Sequence, residues 1–212
     1  MTLPNRIFIT GTNTDIGKTV VSAVLVAGLR AHYWKPIQSG LIDGTDTNWI
    51  QAHTDIPQSH IHKETYSLQQ PLSPHAAAVI DNIEISLDAF SLPVLPEEDF
   101  LIIEGAGGVL VPINKKYFML DLIEKLGAPV LIVADSELGT INHSLLTIRH
   151  LYDRNIEIAG VVMNGPQNQG NKEAIEFYGN VEVIAEIEPL KELNPETLAD
   201  CFTRSFQQSQ LP

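Results

Sequence analysis

Cysteine is nearly absent from the 212-residue sequence: Cys201 is the single thiol, so no disulfide can form within the chain. A lone cysteine without a motif around it is more often structural than nucleophilic, and it favours a reducing compartment. No apolar run approaches the roughly 20 residues that a membrane-spanning helix needs. The first residues lead directly into a predicted strand, which is not typical of a secretory signal peptide. We therefore expect a cytoplasmic protein that does not act in a membrane.

Positive charge is scarce as well, with 13 Lys and Arg against 26 Asp and Glu and a net charge of −13. Nucleic-acid-binding surfaces normally need clustered basic residues, and the only adjacent basic pair here is Lys115 and Lys116. We therefore expect neither nucleic acid nor an anionic membrane as a partner, and the acidity is explained by solubility. Hydrophobic residues make up 44% of the chain, which suits one domain over residues 1–212 with a sizeable core.

One glycine-rich stretch lies between a predicted strand and a predicted helix and reads Gly11-Thr12-Asn13-Thr14-Asp15-Ile16-Gly17-Lys18-Thr19. Gly17 lets the backbone approach a phosphate, and the amides at the helix start point at its oxygens. Lys18 can reach the β- and γ-phosphates, and the Thr19 hydroxyl can ligate Mg²⁺. Five residues separate Gly11 from Gly17, whereas the common phosphate-binding loop has four. The alternative, a glycine turn that merely ends in Lys-Thr, fits the flanking strand and helix less well.

Apolar runs alternate with helix-periodic segments along the whole chain. Strands are predicted at residues 6–10, 34–40, 100–104, 128–135, 158–164 and 181–187. Helices are predicted at residues 18–32, 47–52, 76–80, 117–126, 171–178 and from Asn194 onward, together with one that Asn142 caps and that runs to Asn155. This alternation indicates an α/β fold, a three-layer sandwich with a mainly parallel sheet and right-handed crossovers.

Residues 53–95 are polar and rich in predicted loops. They include four histidines, His53, His60, His62 and His75. Their spacing matches no zinc site, so we expect these histidines at the surface.

Ligands of parallel α/β sheets bind at the carboxyl ends of the strands. The segments expected at that edge are residues 10–19, 35–39, 104–108, 135–142 and Asn164. Their convergence predicts one active site built from five separate stretches.

Three oxygen ligands at this edge suit Mg²⁺, a hard cation that binds carboxylates beside phosphate oxygens and water. They are Thr19, Asp46 and Glu104, and Glu104 follows the buried strand where phosphate-loop enzymes hold an acidic residue. Glu104 could instead be an ordinary strand-end residue facing water. Asp43 lies in the same loop as Asp46 and leaves the choice between the two open.

Two lysines, Lys18 and Lys35, lie on neighbouring strand ends. Phosphoryl transfer is catalysed mainly by positioning and charge stabilisation, and a second lysine would suit an acceptor that is itself an oxyanion. Lys35 could otherwise be a solvated loop lysine. Thr12 and Ser39 could hydrogen-bond an acceptor, or could stabilise turns. The glycine and polar residues at 138–143 are consistent with a carboxylate site at a helix start or with a simple N-cap.

Together these segments resemble dethiobiotin synthetases. The matching stretches, in the family's order, are residues 10–19, Lys35-Pro36-Ile37-Gln38-Ser39-Gly40, 73–75, Glu104-Gly105-Ala106-Gly107-Gly108, 138–143 and Asn164. The five-residue spacing between the two loop glycines is also the family's.

The resemblance implies a homodimeric phosphate-loop α/β sandwich, similar to P-loop NTPases, that acts in biotin synthesis. Its reaction converts 7,8-diaminononanoate, CO₂ and ATP to dethiobiotin, ADP and phosphate. An amine captures CO₂ as a carbamate, the carbamate attacks the γ-phosphate to give a carbamic-phosphoric anhydride, and the second amine closes the ureido ring.

The resemblance also implies residue roles. Lys35 and Lys18 would be catalytic, and Mg²⁺ would be held by Thr19, Asp46 and Glu104. The substrate would contact Thr12, Ser39 and, from the partner subunit, the backbone amides of Thr140, Ile141 and Asn142. ATP would contact Asp15, Ile16, Gly17, Lys18, Thr19, Val20, Asp46, Glu104, Gly105, Ala106, Gly107, Asn164 and Gly165. Glu188 precedes Pro189 in the region expected beside adenine, where the family has proline directly, and either Phe177 or Tyr178 could contact the substrate carboxylate.

Two other functions compete with this interpretation. Partition and positioning ATPases are similar in fold, but they often carry a signature lysine where this chain has Thr12. Glutamine-dependent amidoligases need a glutaminase domain with a nucleophilic cysteine, for which the chain is too short and the context of Cys201 is wrong.

Overall fold

The computed structural model describes residues 3–42 and 44–207. The strands of this part are β1 (Arg6–Gly11), β2 (His32–Trp34), β3 (Ile37–Ser39), β4 (Ile61–His62), β5 (Tyr66–Leu68), β6 (Leu101–Gly108), β7 (Val130–Ala134), β8 (Ile158–Asn164) and β9 (Val183–Ile187). The α-helices are α1 (Lys18–Leu29), α2 (Asp46–His53), α3 (Pro74–Ile80), α4 (Met119–Leu126), α5 (Thr140–Asp153), α6 (Gln169–Gly179) and α7 (Pro195–Phe202).

Seven strands form one parallel sheet in the order β4-β2-β6-β1-β7-β8-β9. The side chains of β1 alternate between its two faces: Ile7 and Ile9 belong to one buried cluster and Phe8 to the other. Helices α1 and α7 contribute to the first cluster, whereas α4 and α5 contribute to the second. The predicted three-layer α/β fold with a mainly parallel sheet is therefore confirmed.

Two predicted boundaries near the second strand are wrong. Helix α1 ends at Leu29 because Arg30 adopts a left-handed conformation (φ 50°) and donates its N–H to the carbonyl of Val26. His32 therefore begins β2 and is not helical. The predicted strand 34–40 is divided at Pro36, and its second part, β3, leaves the main sheet and pairs in parallel with β5.

Residues 53–95 contain more structure than was predicted. Strand β4 pairs with β2, and β5 pairs with β3. His60 and His62 are half-buried, and the ring of His60 stacks on that of His32 with centroids 4.0 Å apart. The prediction of surface histidines is wrong for these two and for His53, which is also half-buried, and right for His75, which is exposed. Strand pairing brings these rings together, and the sequence spacing alone cannot show it.

The starts of two helices test the capping predictions. Helix α7 is capped as expected, since Asn194 accepts a hydrogen bond from the N–H of Thr197 at 3.0 Å. Helix α5 begins at Thr140, with Gly139 (φ 105°) at its N-cap, so Asn142 lies inside the first turn and does not cap it. Among the described residues, no helix is both long and apolar enough to cross a membrane. Asp43 lies outside the described residues.

Candidate active site

The loop between β1 and α1, which is the predicted phosphate-binding loop, turns at a glycine that no other residue could replace without strain. Gly17 has φ 84°, and a Cβ added there would lie 2.1 Å from Nδ2 of Asn164, so glycine is needed for both conformation and space. Asn164 itself donates to the carbonyl of Ile16 at 2.9 Å. Lys18 is buried and donates to the carbonyl of Asn13 at 3.2 Å. The loop is therefore held in shape by contacts to its own backbone and to the end of β8.

A charged network lies beside this loop, around the carboxylate of Glu104, which is 0% exposed. Its Oε1 atom accepts hydrogen bonds from Lys35 Nζ at 3.0 Å and from Thr19 Oγ1 at 2.9 Å. Thr19 also contacts Asp46 Oδ1 at 3.1 Å, and Lys35 donates to the other oxygen of Asp46. Four side chains from four separate segments thus meet at one point, as the convergence of strand ends predicts.

The surroundings set the charge of the titratable groups in this network. Burial lowers the pKa of Lys18, which Glu104 only partly offsets. Burial also acts to lower the pKa of Lys35, but the charges of Glu104 and Asp46 outweigh it and raise the pKa above its usual value. Burial raises the pKa of Tyr33 well above its usual value, and the charge of Glu104 adds to this. Lys35 is therefore a cation at neutral pH, and Tyr33 is a protonated phenol that donates to Glu104 Oε2 at 3.1 Å.

The network opens into a cavity of about 700 Å³. Its lining residues are Thr14, Asp15, Gly17, Lys18, Thr19, Lys35, Gln38, Ser39, Asp46, Pro71, Leu72, Ser73, Pro74, Glu104, Ala106, Gly107 and Val111. Both lysines, both carboxylates and the Thr19 hydroxyl therefore face one space, and a phosphorylated ligand entering it would meet cations and metal-binding oxygens together.

Relatives of this chain identify its family. A family model described as an AAA domain matches residues 5–197. The ATP-dependent dethiobiotin synthetase BioD of Paramagnetospirillum magneticum is 47% identical over 91% of this chain and 92% of the relative. The protein of the same name from Cytophaga hutchinsonii is 45% identical over 95% of this chain and 97% of its own length. The chain belongs to the dethiobiotin synthetase family.

A solved structure supports the fold of this family member independently. The MinD chain of a MinC:MinD cell division complex from Aquifex aeolicus is 14% identical, with a TM-score of 0.56 over 98% of this chain and 97% of that one. At this identity the similarity shows a shared fold and no shared activity. The competing interpretation as a positioning ATPase therefore gains nothing from it.

The predicted site residues of this family member fall into two groups. Those that line the cavity are Asp15, Gly17, Lys18, Thr19, Lys35, Ser39, Asp46, Glu104, Ala106 and Gly107. The others are Thr12, Ile16, Val20, Gly105, Thr140, Ile141, Asn142, Asn164 and Gly165. Gly105 has a packing role, because a Cβ there would lie 2.7 Å from the ring of Phe8. Val20 lines a separate cavity of about 680 Å³ that also contains Thr19 and Asp46.

Two predicted substrate contacts have unused hydroxyl groups. The Oγ1 atom of Thr12 and the Oγ atom of Ser39 are buried and have no hydrogen-bond partner among the described residues. The backbone of Thr12 is fixed, since its N–H donates to the carbonyl of Val133 at 2.9 Å. Buried hydroxyls without partners are rare. Ser39 lines the cavity, so its hydroxyl can bond a ligand there, whereas Thr12 does not line it.

The first turn of α5 is farther from the network. Thr140, Ile141 and Asn142 do not line the cavity formed by the described residues of the same chain. The amide of Thr140 already donates to the carbonyl of Glu137 at 3.2 Å. The amides of Ile141 and Asn142 belong to the first helical turn, where no intrahelical acceptor exists. The part of the predicted carboxylate site that involves Thr140 is thus weakened.

Sequence reasoning missed several residues of the site. Tyr33 bonds Glu104, and Gln38 accepts the N–H of Asp46 at 3.1 Å. The cavity wall at Pro71–Pro74 was recognised only through the stretch 73–75. Tyr33 precedes Lys35 by two residues in an extended segment, which places both side chains on the same side. That spacing was the available signal for Tyr33.

The donor set fits Mg²⁺. Two carboxylates and one hydroxyl meet within hydrogen-bond distance, and Mg²⁺ is usually bound by one or two carboxylates, phosphates and water. Within residues 3–42 and 44–207, no group of three His, Cys, Asp or Glu side chains is arranged to hold a metal alone. The ion would therefore depend on the nucleotide for further ligands.

Proposed function

We propose that this protein is an ATP-dependent dethiobiotin synthetase that carboxylates 7,8-diaminononanoate with CO₂ and closes the ureido ring. The observation that carries the proposal is the convergence of Lys18, Lys35 and Glu104 on one cavity in a chain that shares 47% identity with a named dethiobiotin synthetase. Seven of the nine described strands, from β1 near the start of the chain to β9 near its end, belong to one sheet, which supports a single domain over residues 1–212.

The phosphate-binding loop and the neighbouring oxygen ligands position the nucleotide for phosphoryl transfer. The backbone amides around Gly17 and the ammonium of Lys18 bind and orient the phosphates. Thr19, Asp46 and Glu104 would hold Mg²⁺, whose charge neutralises the β- and γ-phosphate oxygens when it is bound. Because all of these groups are fixed before the substrate enters, little reorganisation is needed for transfer.

Lys35 provides charge stabilisation at the acceptor. One amine of the diamine attacks CO₂, loses a proton and becomes a carbamate, which is an anion. A carbamate oxygen then attacks the γ-phosphorus, the bond to ADP breaks, and a carbamic-phosphoric anhydride forms. Lys35 stays protonated between two carboxylates, so its ammonium can stabilise both the carbamate and the transferred phosphoryl group. The second amine attacks the anhydride carbon and gives up a proton, the carbon–oxygen bond to the phosphoryl group breaks, and phosphate leaves as the ring closes.

The free hydroxyls supply substrate contacts. Thr12 and Ser39 would bond the diamine or its carbamate, because each has a buried oxygen without a partner in the described chain. At the other end of the nucleotide, Asn164 and Gly165 would contact the adenine, near residues 187–189. The first-turn amides of α5 would bind the substrate carboxylate from a partner subunit.

A homodimer is part of the proposal. Phe177 and Tyr178 on α6 are 79% and 70% exposed. Their rings meet edge to face, with centroids 5.1 Å apart. Leu138, just before α5, is fully exposed. Leu138 adjoins the predicted carboxylate site in sequence, whereas Phe177 and Tyr178 lie in the last turn of α6; exposed apolar side chains of this kind fit a subunit contact. A cytoplasmic location is proposed from the lone cysteine and the biosynthetic reaction.

A direct assay tests the function. Purified protein is given the diamine, isotopically labelled bicarbonate, ATP and Mg²⁺, and the product is identified by mass. We expect one labelled carbon per ring, with one ADP and one phosphate formed per ring. Omitting bicarbonate or adding EDTA should abolish turnover. ATP hydrolysis that proceeds fully without diamine or bicarbonate would contradict carbamate chemistry and favour the ATPase alternative.

A further inference from the structure

The carboxylate of Glu104 accepts hydrogen bonds from two sets of donors. One set lines the ligand cavity, and the other is a single donor buried in the core. Lys35 and Thr19 both bond its Oε1 atom, at 3.0 and 2.9 Å, and both line the ligand cavity. Tyr33 bonds the Oε2 atom at 3.1 Å and is 0% exposed. A carboxylate buried this completely needs a donor for each oxygen, because an unpaired buried charge is costly.

Tyr33 is fixed by packing on the sheet. It lies at the centre of β2, paired in register with Ile102 of β6. Its ring belongs to the same buried cluster as Val24 and Leu25 of α1, whereas the next residue, Trp34, belongs to the cluster on the opposite face. Packing in the core therefore fixes the position of the phenol oxygen beside Glu104, and no ligand is needed to hold it there.

The spacing of Tyr33 and Lys35 explains how both reach Glu104. Residues two apart in an extended segment point to the same side, and each of the two bonds a different oxygen of the one carboxylate. Lys35 and Thr19 have proposed roles toward substrate and metal. When those ligands bind, both side chains can give up their hydrogen bonds to Oε1 and contact the ligands instead. The bond from Tyr33 to Oε2 remains.

We propose that Tyr33 is a positioning residue that anchors the Glu104 carboxylate through Oε2 and so keeps Oε1 directed at the divalent cation beside the nucleotide. Tyr33 does not line the ligand cavity, so it would act only through Glu104. Groups that hydrogen-bond a metal ligand from behind usually matter strongly for metal affinity. The proposal rests on the proposed function for the identity of the metal site.

The test is Tyr33→Phe, which removes one oxygen and keeps the ring in its cluster. Mn²⁺ binding to the ADP complex is measured by electron paramagnetic resonance, which needs no turnover. We expect the Mn²⁺ dissociation constant to rise about tenfold, while ADP affinity in EDTA changes by less than about twofold. Excess Mg²⁺ should restore much of the lost turnover.

Tyr152→Phe is the matched control. The Tyr152 hydroxyl donates to the carbonyl of Asn180 at 2.8 Å, on the surface, so its loss should leave Mn²⁺ affinity unchanged. In a Glu104→Gln background, Tyr33→Phe should add less than about twofold, because the two residues act through one group.

Two results would overturn the proposal. One is wild-type Mn²⁺ affinity in Tyr33→Phe, and the other is a lower thermal stability with equal losses of ADP and Mn²⁺ binding, which indicates a purely structural role. Failure of the proposed function is separable, because wild-type protein that makes no ring product still gives a valid Mn²⁺ measurement.

Discussion

The two ends of strand β2 carry buried titratable side chains that keep different charges. Lys35 follows the carboxyl end and contacts two carboxylates, those of Glu104 and Asp46. His32 begins the amino end, where its Nδ1 lies 2.9 Å from Nε2 of His62 and its ring stacks on His60. The same strand thus ends in an ion-pair network and begins in a cluster of aromatic bases.

The pKa shifts at the two ends have opposite signs. At the carboxyl end, two acids outweigh burial and raise the pKa of Lys35. At the amino end, burial lowers the pKa of His32, and the neighbouring His60 lowers it further. Asp99 opposes this from 3.4 Å, but its side chain is 38% exposed. Burial alone therefore does not decide the direction of a pKa shift. The number of opposite charges nearby, and how buried they are, also matter.

The largest expected effect comes from removing the cation at the carboxyl end. Lys35→Gln should lower kcat by at least about 10²-fold, because the variant removes the cation that is proposed to stabilise the acceptor charge. ATP affinity should change by less than about threefold, since Lys18 and the loop amides remain. Product formation is measured by mass detection and nucleotide binding by calorimetry.

Lys125→Gln is the matched control, because Lys125 lies 3.6 Å from Asp88, whose side chain is 97% exposed. This variant should behave as wild type. Wild-type turnover in Lys35→Gln would show that the assigned role of Lys35 is wrong.

The next effect compares the two acids that hold Lys35. Glu104→Gln should reduce kcat/KM for ATP by about 10²-fold and Asp46→Asn by about tenfold, since a fully buried charge is less screened than one at the cavity edge. The side chains of Glu104 and Asp46 are 0% and 31% exposed. Steady-state kinetics over a range of Mg²⁺ concentrations provides the comparison. Equal losses would mean that burial does not distinguish the two carboxylates.

The smallest effect concerns the histidine cluster and protein stability. The lowered pKa values of His32 and His62 mean that, as pH falls below about 6.5, the unfolded chain binds protons before the folded one does. Stability present at higher pH is therefore lost through this range until the folded histidines also protonate. We therefore expect the free energy of unfolding to fall as the pH is lowered through about 6.5, as read from urea unfolding.

A pair of variants isolates this contribution from that of the carboxylates. His32→Gln should flatten the pH dependence of unfolding, whereas His75→Gln, at an exposed position, should leave it unchanged. If the free energy of unfolding varied equally with pH in both variants, the histidine cluster would not be the cause of the pH dependence.

Much of the site could be predicted because its signals are local. An apolar run predicts β1, Gly17-Lys18-Thr19 predicts the phosphate loop, and Glu104 ends an unbroken apolar stretch. Parallel strands then bring their carboxyl ends to one edge. Each of these steps uses only neighbouring residues and a general rule of sheet topology.

The parts that could not be predicted depend on contacts distant in sequence. Tyr33 and Glu104 are 71 residues apart, and no periodic pattern links them. The stacking of His32 on His60 requires the pairing of β2 with β4, a two-residue strand too short to give a pattern. The end of α1 depends on a left-handed arginine, where glycine would have been the recognisable signal.

The hydrogen bond from Asn164 to the carbonyl of Ile16 joins residues 148 positions apart. It connects the end of β8, where the adenine contact is proposed, to the loop that is proposed to bind the phosphates. We therefore expect a substitution at Asn164 to disturb the loop before Gly17 as well as the proposed contact to the base.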